Sequence, residues 1–488
     1  MKSRKTKTPD IAAAARRLLG FRSLRPGQQD AIASLIEGCD TLVVQPTGSG
    51  KSAIYQIAGA LLPGPTLVVS PLIALQKDQA DAIEASKLEQ TAVVNSTLTI
   101  AEQRDTLERI DQGAAKYIFL APEQLSRAET LEHLQSAGIS LVAIDEAHCV
   151  SQWGHDFRPD YLQLARVIEA LGHPPTIAMT ATASPEVRAE IVDRLGLRSP
   201  RIFVRGFDRP NISLRVDTFP NTDQKCEALL RRIEFADKPG IVYVSTHKAA
   251  ESIASDLLHR GVEAVFYHGG LKPKEREAIQ NRFMAGDVPV MVATNAFGMG
   301  VDKPDIRFVY HADVSDSLDA YYQEIGRAGR DGQPAEAVLF FCSRDIGAQQ
   351  FKTAGGVNTE ELDSLAAALA DHDGPATPDE LAAATGLSKR KLINLVHKLE
   401  EAAAATQLDS GAIELLPGHS AAQIVARVTQ LQQLFNDMRK RRLEQMREYS
   451  EGRACRRQVL LQYFGEETTG PCGNCDRCEA NRSVAAAA

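Results

Sequence analysis

The run Pro46-Thr47-Gly48-Ser49-Gly50-Lys51-Ser52 brings together what a chain of phosphates needs. Its glycines let backbone N–H groups wrap phosphate oxygens, Lys51 offers a positive charge to the β- and γ-phosphates, and the Ser52 hydroxyl reaches Mg²⁺. Thr47, Gly48, Ser49 and Gly50 complete the candidate cradle. A strict Gly-x4-Gly-Lys-Ser pattern would have glycine where this chain has Gln45, so the match is a variant. Further on, LVAIDEAH sets Asp145 and Glu146 just past an apolar run. Asp145 is the candidate Mg²⁺ ligand, and Glu146 the candidate base or orienter for an attacking water. An acidic pair after a strand is by itself more often a helix cap. Behind a phosphate loop the catalytic reading takes precedence.

A second constellation lies near the end of the sequence, where Cys455, Cys472, Cys475 and Cys478 are spaced C-x16-C-x2-C-x2-C. Four thiolates in a tetrahedron suit zinc, and closely spaced ligands on one knuckle are a common way to build such a site. Disulfides are the competing reading, which a reducing cytosol disfavours. Cys39, Cys149, Cys226 and Cys342 are scattered and read as packed thiols.

These residues need elements to hold them. TLVVQ, TLVVS, TAVVN, YIFLA, SLVAIDEAH and TIAMTAT are short β-branched runs separated by helical stretches, the rhythm of a parallel sheet covered on both faces. In such sheets ligands gather at the carboxyl ends of strands, which would bring the acid pair to the phosphate loop. GIVYVS, EAVFYHG, VMVATNAF, RFVYHAD and AVLFFCS form a second series after FDRPNI, so two α/β domains stand in tandem, joined near residue 206. Past residue 346 the composition turns to Ala, Leu, Glu and Lys. TPDELAAATGLSKRKLINLVHKLEEAAAA reads as two helices broken at Gly386, followed by a short hairpin in TQLDSGAIELL. That segment is either a winged helix or a plain helical spacer. A long amphipathic helix over 421–449, the cysteine-rich segment and a disordered SVAAAA tail follow.

The bulk properties set limits. At 488 residues the chain exceeds one hydrophobic core, and its 44% hydrophobic and 24% charged residues are those of an ordinary water-soluble protein. No apolar run approaches the ~18–20 residues that span a bilayer, and the basic N-terminus lacks an apolar signal core. The expected location is the cytoplasm. A net charge of −8 argues weakly against a nucleic-acid partner, because a local groove can be basic in an acidic chain. Residues 421–460 hold nine Lys or Arg against four Asp or Glu, including Arg439 to Arg442 and Arg453, Arg456 and Arg457. A solvated basic helix face is the alternative.

Taken together, the motifs resemble superfamily 2 helicases, among which Gln45 is an accepted variant, and more of the chain is similar to the RecQ family. GFRSLRPGQQDAI resembles the family's adenine-binding motif, which implies that Phe21 stacks on the base while Arg25 and Gln28 bind it. SPLIALQKDQ and APEQL resemble strand-contacting motifs, and Thr180-Ala181-Thr182 the segment linking ATP state to the strand path. HCVSQWGHDFRPDY after DEAH resembles the RecQ aromatic loop, which implies that Trp153, Phe157 and Arg158 grip unpaired bases. VATNAFGMGVDKPDIRFVYH and AYYQEIGRAGRDG resemble the last two helicase motifs. They imply Arg330, then Arg327, as arginine fingers, with Gln323, Gly300 and Asp302 on the same interlobe surface. CRRQVLLQYFGE before CGNCDRC is how the RecQ zinc domain reads, which makes the zinc structural.

The resemblance implies an ATP-dependent DNA helicase of repair or recombination, moving 3′-to-5′ and using ATP, Mg²⁺ and structural zinc. The fold class is α/β. Two RecA-like lobes (1–205 and 206–345) precede a winged-helix candidate (346–418), a helical zinc domain (419–482) and a tail (483–488). The partner is single-stranded DNA and its junctions with duplex. RecQ enzymes usually place the zinc domain before the winged helix; this chain reverses the order, which weakens the case for unwinding relative to ATP hydrolysis and translocation. An RNA helicase and a non-motor DNA-binding regulator are the alternatives. The regulator would not need both halves of a nucleotide site.

Overall fold

The computed structural model describes residues 10–71, 73–85, 90–95, 98–151, 158–298, 303–353, 358–402, 404–408, 411–416 and 420–487. One compact unit runs to Ser343 and resumes at Met446; the other is Arg344–Gln445. Within the first unit, seven strands form an all-parallel sheet: β1 (Thr41–Val44), β2 (Thr66–Val69), β3 (Thr91–Val94), β4 (Tyr117–Leu120), β5 (Leu141–Ile144), β6 (Thr176–Thr180) and β7 (Arg201–Val204). Their order is β3-β4-β2-β5-β6-β1-β7. Runs such as TLVV and LVAI are buried throughout, because helices cover both faces of the sheet. Val43, Val68, Phe119 and Met179 pack there against Ile54, Tyr55 and Ile57 of the Ser52–Leu61 helix. Strands β5, β6 and β1 are neighbours, so the loops leaving their carboxyl ends converge.

Six more parallel strands make the second lobe: β8 (Ile212–Thr218), β9 (Gly240–Tyr243), β10 (Ala264–Tyr267), β11 (Val290–Ala293), β12 (Phe308–His311) and β13 (Ala335–Phe341). They lie in the order β10-β11-β9-β12-β13-β8 around a core of Val242, Val292, Phe308, Val338 and Ile253. Every strand named from the sequence is present. Two edge strands, β7 and β8, were not read. β7 is largely exposed, and in β8 buried Ile212, Leu214 and Val216 alternate with half-buried polar residues, so neither is a continuous apolar run. The Cys475 knuckle lies alongside β8: Leu214 bridges Cys475 in parallel, and its N–H donates to the Asn474 carbonyl at 3.3 Å.

In the second unit, helices Thr359–Asp371, Pro378–Thr385 and Lys389–Glu401 surround Leu362, Leu381, Leu392 and Val396. Thr377 and Glu380 close a capping box at the start of the middle helix, and Gly386 at φ 69° ends it. An antiparallel hairpin follows, β14 (Ala405–Gln407) with β15 (Ile413–Leu415), and Ala376 bridges to Ile413. The first turns of the Ala421–Glu451 helix add Ile424, Val425 and Val428 to this core. At the other end of the chain, the Asp476–Ala487 helix continues through the SVAAA segment that was expected to be disordered, in keeping with alanine's helix propensity. Among the described residues no helix is long and apolar enough to cross a membrane.

Candidate active site and metal centre

The phosphate loop joins β1 to the Ser52–Leu61 helix, whose N-terminus adds its positive dipole end. Gly48 and Gly50 have φ of 78° and 87°, and a Cβ on Gly50 would stand 2.8 Å from the Gln28 amide nitrogen. Gln45 is outside the left-handed region, so glycine is not required there. Gln28 is buried and donates to the Gly50 carbonyl at 2.9 Å, while Arg25 donates to the Gly48 carbonyl. Phe21 lies exposed nearby in sequence. Lys51 Nζ donates to the carbonyls of Gln45 and Pro46 at 2.7 and 3.2 Å, which holds the ammonium under the loop. Burial lowers its pKa, Glu146 and Asp145 oppose that shift, and Arg330 adds to it. Ser49 Oγ is buried without a protein partner, an orphan that a phosphate oxygen would satisfy.

Asp145 and Glu146 leave β5, two strands from the loop. Burial, then repulsion from Glu146, pushes the Asp145 carboxyl up to about 6 against the pull of Lys51. A buried carboxylate this reluctant to ionise gains by facing a cation, and a carboxylate and a hydroxyl such as that of Ser52 are the oxygen donors Mg²⁺ takes. Glu146 takes a left-handed conformation, φ 47°, a local strain of the kind that collects at functional sites. Buried His148 connects the acid pair to the end of β6, with Nδ1 2.9 Å from Thr180 Oγ1 and 3.3 Å from Glu146 Oε2. Thr180 Oγ1 in turn donates to the Thr182 carbonyl, so Thr180-Ala181-Thr182 is wired to the acids.

The second lobe supplies arginines. Gln323 lies on the Leu318–Ile325 helix, and Arg327 and Arg330 follow it. A Cβ on Gly48 would lie 3.7 Å from Arg330 Cδ, so the Arg330 side chain reaches across the lobes to the phosphate loop. Arg327 is buried beside Gly298. The phosphate loop, the Asp145–Glu146 pair and the Arg330 side chain thus come together from two lobes.

The four sulfurs of Cys455, Cys472, Cys475 and Cys478 all lie within 4.8 Å of one another, with two pairs at 3.9 Å. Thiolates about 2.3 Å from a tetrahedral zinc ion stand roughly 3.8 Å apart, and a disulfide would be about 2.05 Å. The residues therefore fit zinc and are not paired as disulfides. Burial pushes the Cys472 and Cys478 thiols up, whereas at Cys455 the backbone N–H groups of Cys472 and Gln458 outweigh burial and bring the thiol down to about 7.

Residues 25–191 match the DEAD/DEAH box helicase family, residues 224–332 the helicase conserved C-terminal domain, and residues 422–479 the RecQ zinc-binding domain. The probable ATP-dependent DNA helicase RecS of Bacillus subtilis is 43% identical over 345 residues, covering 70% of this chain and 69% of that protein. The chain belongs to the RecQ family of helicases. RecQ of Pasteurella multocida is 36% identical over 94% of this chain, which spans 61% of that relative's length. The helicase Lhr of Mycobacterium smegmatis, solved bound to ssDNA and AMP-PNP, shares the fold at a TM-score of 0.54 and 22% identity, covering 86% of this chain and 62% of Lhr. In this RecQ-family chain a segment separates the helicase and zinc-binding matches, and the Arg344–Gln445 unit falls largely within it.

Of the RecQ-type site residues, Trp153, Phe157, Gly300 and Asp302 lie outside the described residues. Arg158 donates to the carbonyl of Pro71, in the SPLIALQKDQ segment, at 3.3 Å. Arg456 and Arg457, counted in the basic stretch, are buried instead. Arg456 pairs with Asp476 at 3.0 Å, and Arg457 donates to the carbonyls of Arg209 and Ile212. Both are structural cations, while Arg439, Lys440 and Arg441 remain exposed. FDRPNI, read only as a boundary, contains Arg209 and Asn211, whose side chains hold carbonyls of the Gly326–Arg330 loop. Their one advance signal was the adjacency of two polar side chains to the domain joint.

Proposed function

We propose that the chain is an ATP-driven motor that moves 3′-to-5′ along one DNA strand and separates duplex DNA in repair or recombination. The observation that carries this reading is the approach of Arg330 to Gly48 across the lobes. With half of the hydrolytic site on each lobe, the cleft must close for turnover and can reopen after it, so contacts to a strand are gripped and released in turn. DNA as the track, and unwinding as the outcome, are supported by RecS and RecQ, which are named as DNA helicases.

In this mechanism Phe21, Arg25 and Gln28 hold the adenine end while Thr47 to Ser52 wrap the phosphates. Ser52 and Asp145 would hold Mg²⁺, which would neutralise phosphate charge. Glu146 orients the attacking water and takes its proton. Arg330, then Arg327, face the γ-phosphoryl oxygens as charge develops there, with Gln323, Gly300 and Asp302 on the same surface. The link from Glu146 through His148 to Thr180 carries the state of the γ-phosphate toward the strand path. Trp153, Phe157 and Arg158 grip unpaired bases. Zinc at the four cysteines is structural. Residues 1–205 and 206–345 are the lobes, 346–418 a winged helix and 419–482 the zinc domain. The work is done in the cytoplasm, at single-stranded DNA and its junctions with duplex.

Steady-state ATP hydrolysis with no nucleic acid, single-stranded DNA, duplex DNA or RNA tests the reading, with Lys51→Ala as the control. Strong stimulation by single-stranded DNA that vanishes in the control is the expected result. Turnover indifferent to DNA, or stimulated only by RNA, would overturn it.

A further inference from the structure

The Leu318–Ile325 helix and the loop after it carry both candidate fingers, and the second lobe alone does not hold them. Three residues of that helix are engaged by the C-terminal segment beginning at Met446. The Tyr463 hydroxyl donates to the Asp319 carboxylate. The Tyr449 ring lies 5.2 Å from that of Tyr321, and the Phe464 ring 4.8 Å from that of Tyr322. The loop itself is held from the domain joint. The Arg209 guanidinium donates to the carbonyls of Gly326, Ala328 and Gly329 at 3.1, 2.9 and 3.0 Å. Asn211 donates to Gly329 at 2.8 Å, so close that a Cβ on Gly329 would meet its amide at 2.5 Å.

The joint is in turn fixed by the same C-terminal segment. Phe464 stacks on Phe207 with ring centroids 4.4 Å apart and planes 3° from parallel. Arg457 donates to the Arg209 carbonyl at 3.0 Å, and Asn474 to the Pro210 carbonyl at 3.0 Å. Arg188 of the first lobe donates to the Phe464 carbonyl, so this segment touches both lobes as well as the joint. A guanidinium that caps three consecutive-turn carbonyls has little freedom, and neither has the loop it caps. Small displacements of a transition-state cation are costly, because its charge acts at contact distance.

We propose that the cysteine-bearing C-terminal segment is a positioning device for the arginine fingers, acting through Tyr463 on Asp319 and through Arg457 and Arg209 on the Gly326–Arg330 loop. This makes Tyr463, Arg457 and Arg209 positioning residues for ATP hydrolysis. It rests on the reading of Arg330 as the finger. The segment's role extends beyond holding a metal for stability: it sets where the second lobe's charge stands when the lobes close.

The test compares full-length wild type, Tyr463→Phe, Arg209→Lys and Arg330→Ala with saturating single-stranded DNA, measuring kcat, KM for ATP, bound zinc and Tm. Tyr463→Phe removes one hydroxyl and keeps the ring; Arg209→Lys keeps the charge and loses the fork. The expected result is a fall in kcat of about ten- to a hundredfold in both, with KM for ATP within about twofold and zinc and Tm retained. Wild-type kcat in both variants, with Arg330→Ala impaired, overturns the positioning role alone. Loss of kcat only in step with loss of zinc or of Tm shows mere structural support and overturns it too. An unimpaired Arg330→Ala overturns the finger reading and the proposal with it.

Discussion

A buried carboxylate beside another acid is poorly suited to the folded protein on its own. Asp145 has its pKa pushed up to about 6 by burial and by Glu146. An unfolded aspartate titrates near ~3.9, so between these values the folded chain keeps a proton that the unfolded chain has released. Stability therefore falls as pH rises through that window, and the whole deficit is present above it. Asp145→Asn abolishes the charge and with it the deficit, so in magnesium-free buffer near pH ~8 the variant should be the more stable by about 1–3 kcal/mol. The gap should narrow as pH falls through about 6 and close below about 4. Thermal melts of both proteins across that range check it; a wild type at least as stable at the alkaline end would refute the account. The phosphate loop and acid pair were legible because each is a contiguous run whose chemistry follows from residue type. His148 as the wire between Glu146 and Thr180 was not, since that contact exists only once β5 and β6 lie side by side.

Elements that present a continuous apolar run were legible for the same reason that they form. TLVV or YIFL, buried on both faces, has no alternative environment. β8 escaped because its outer face stays polar, and its inner face acquires meaning only when β13 pairs with it and the cysteine knuckle lies along its edge. Arg456 and Arg457 were misplaced for a related reason: one-dimensional charge counting does not see that Asp476 and two carbonyls at the domain joint will enclose them. The knuckle is thus a fastening for an edge strand, and its integrity should matter to the whole unit. Cys475→Ser leaves three thiolates, at the position whose backbone bridges Leu214. We expect bound zinc to fall well below one ion per chain and the midpoint of denaturation to drop. Metal analysis alongside denaturant titration measures both, and an unchanged metal content would remove zinc from this site.

At the scale of the molecule, a site divided between two lobes ties nucleotide and strand together by thermodynamics as well as by geometry. If closure around the γ-phosphate changes the grip on single-stranded DNA by some factor, then DNA must change the affinity for a non-hydrolysable ATP analogue by the same factor. Couplings of this kind are typically about 1–3 kcal/mol, or roughly 5- to 150-fold in affinity. Arg330 is the side chain that approaches Gly48 across the lobes, so it should carry a large share of that coupling. Titrating DNA with and without analogue, and analogue with and without DNA, gives two independent values of the factor. They should agree in the wild type and both collapse toward one in Arg330→Ala, while the variant keeps the affinity for DNA that the nucleotide-free protein has. A motor that grips and releases cannot work with a factor of one, because hydrolysis would then leave its hold on the track unchanged. A wild type without coupling would mean that the two lobes share a hydrolytic site but not a stroke.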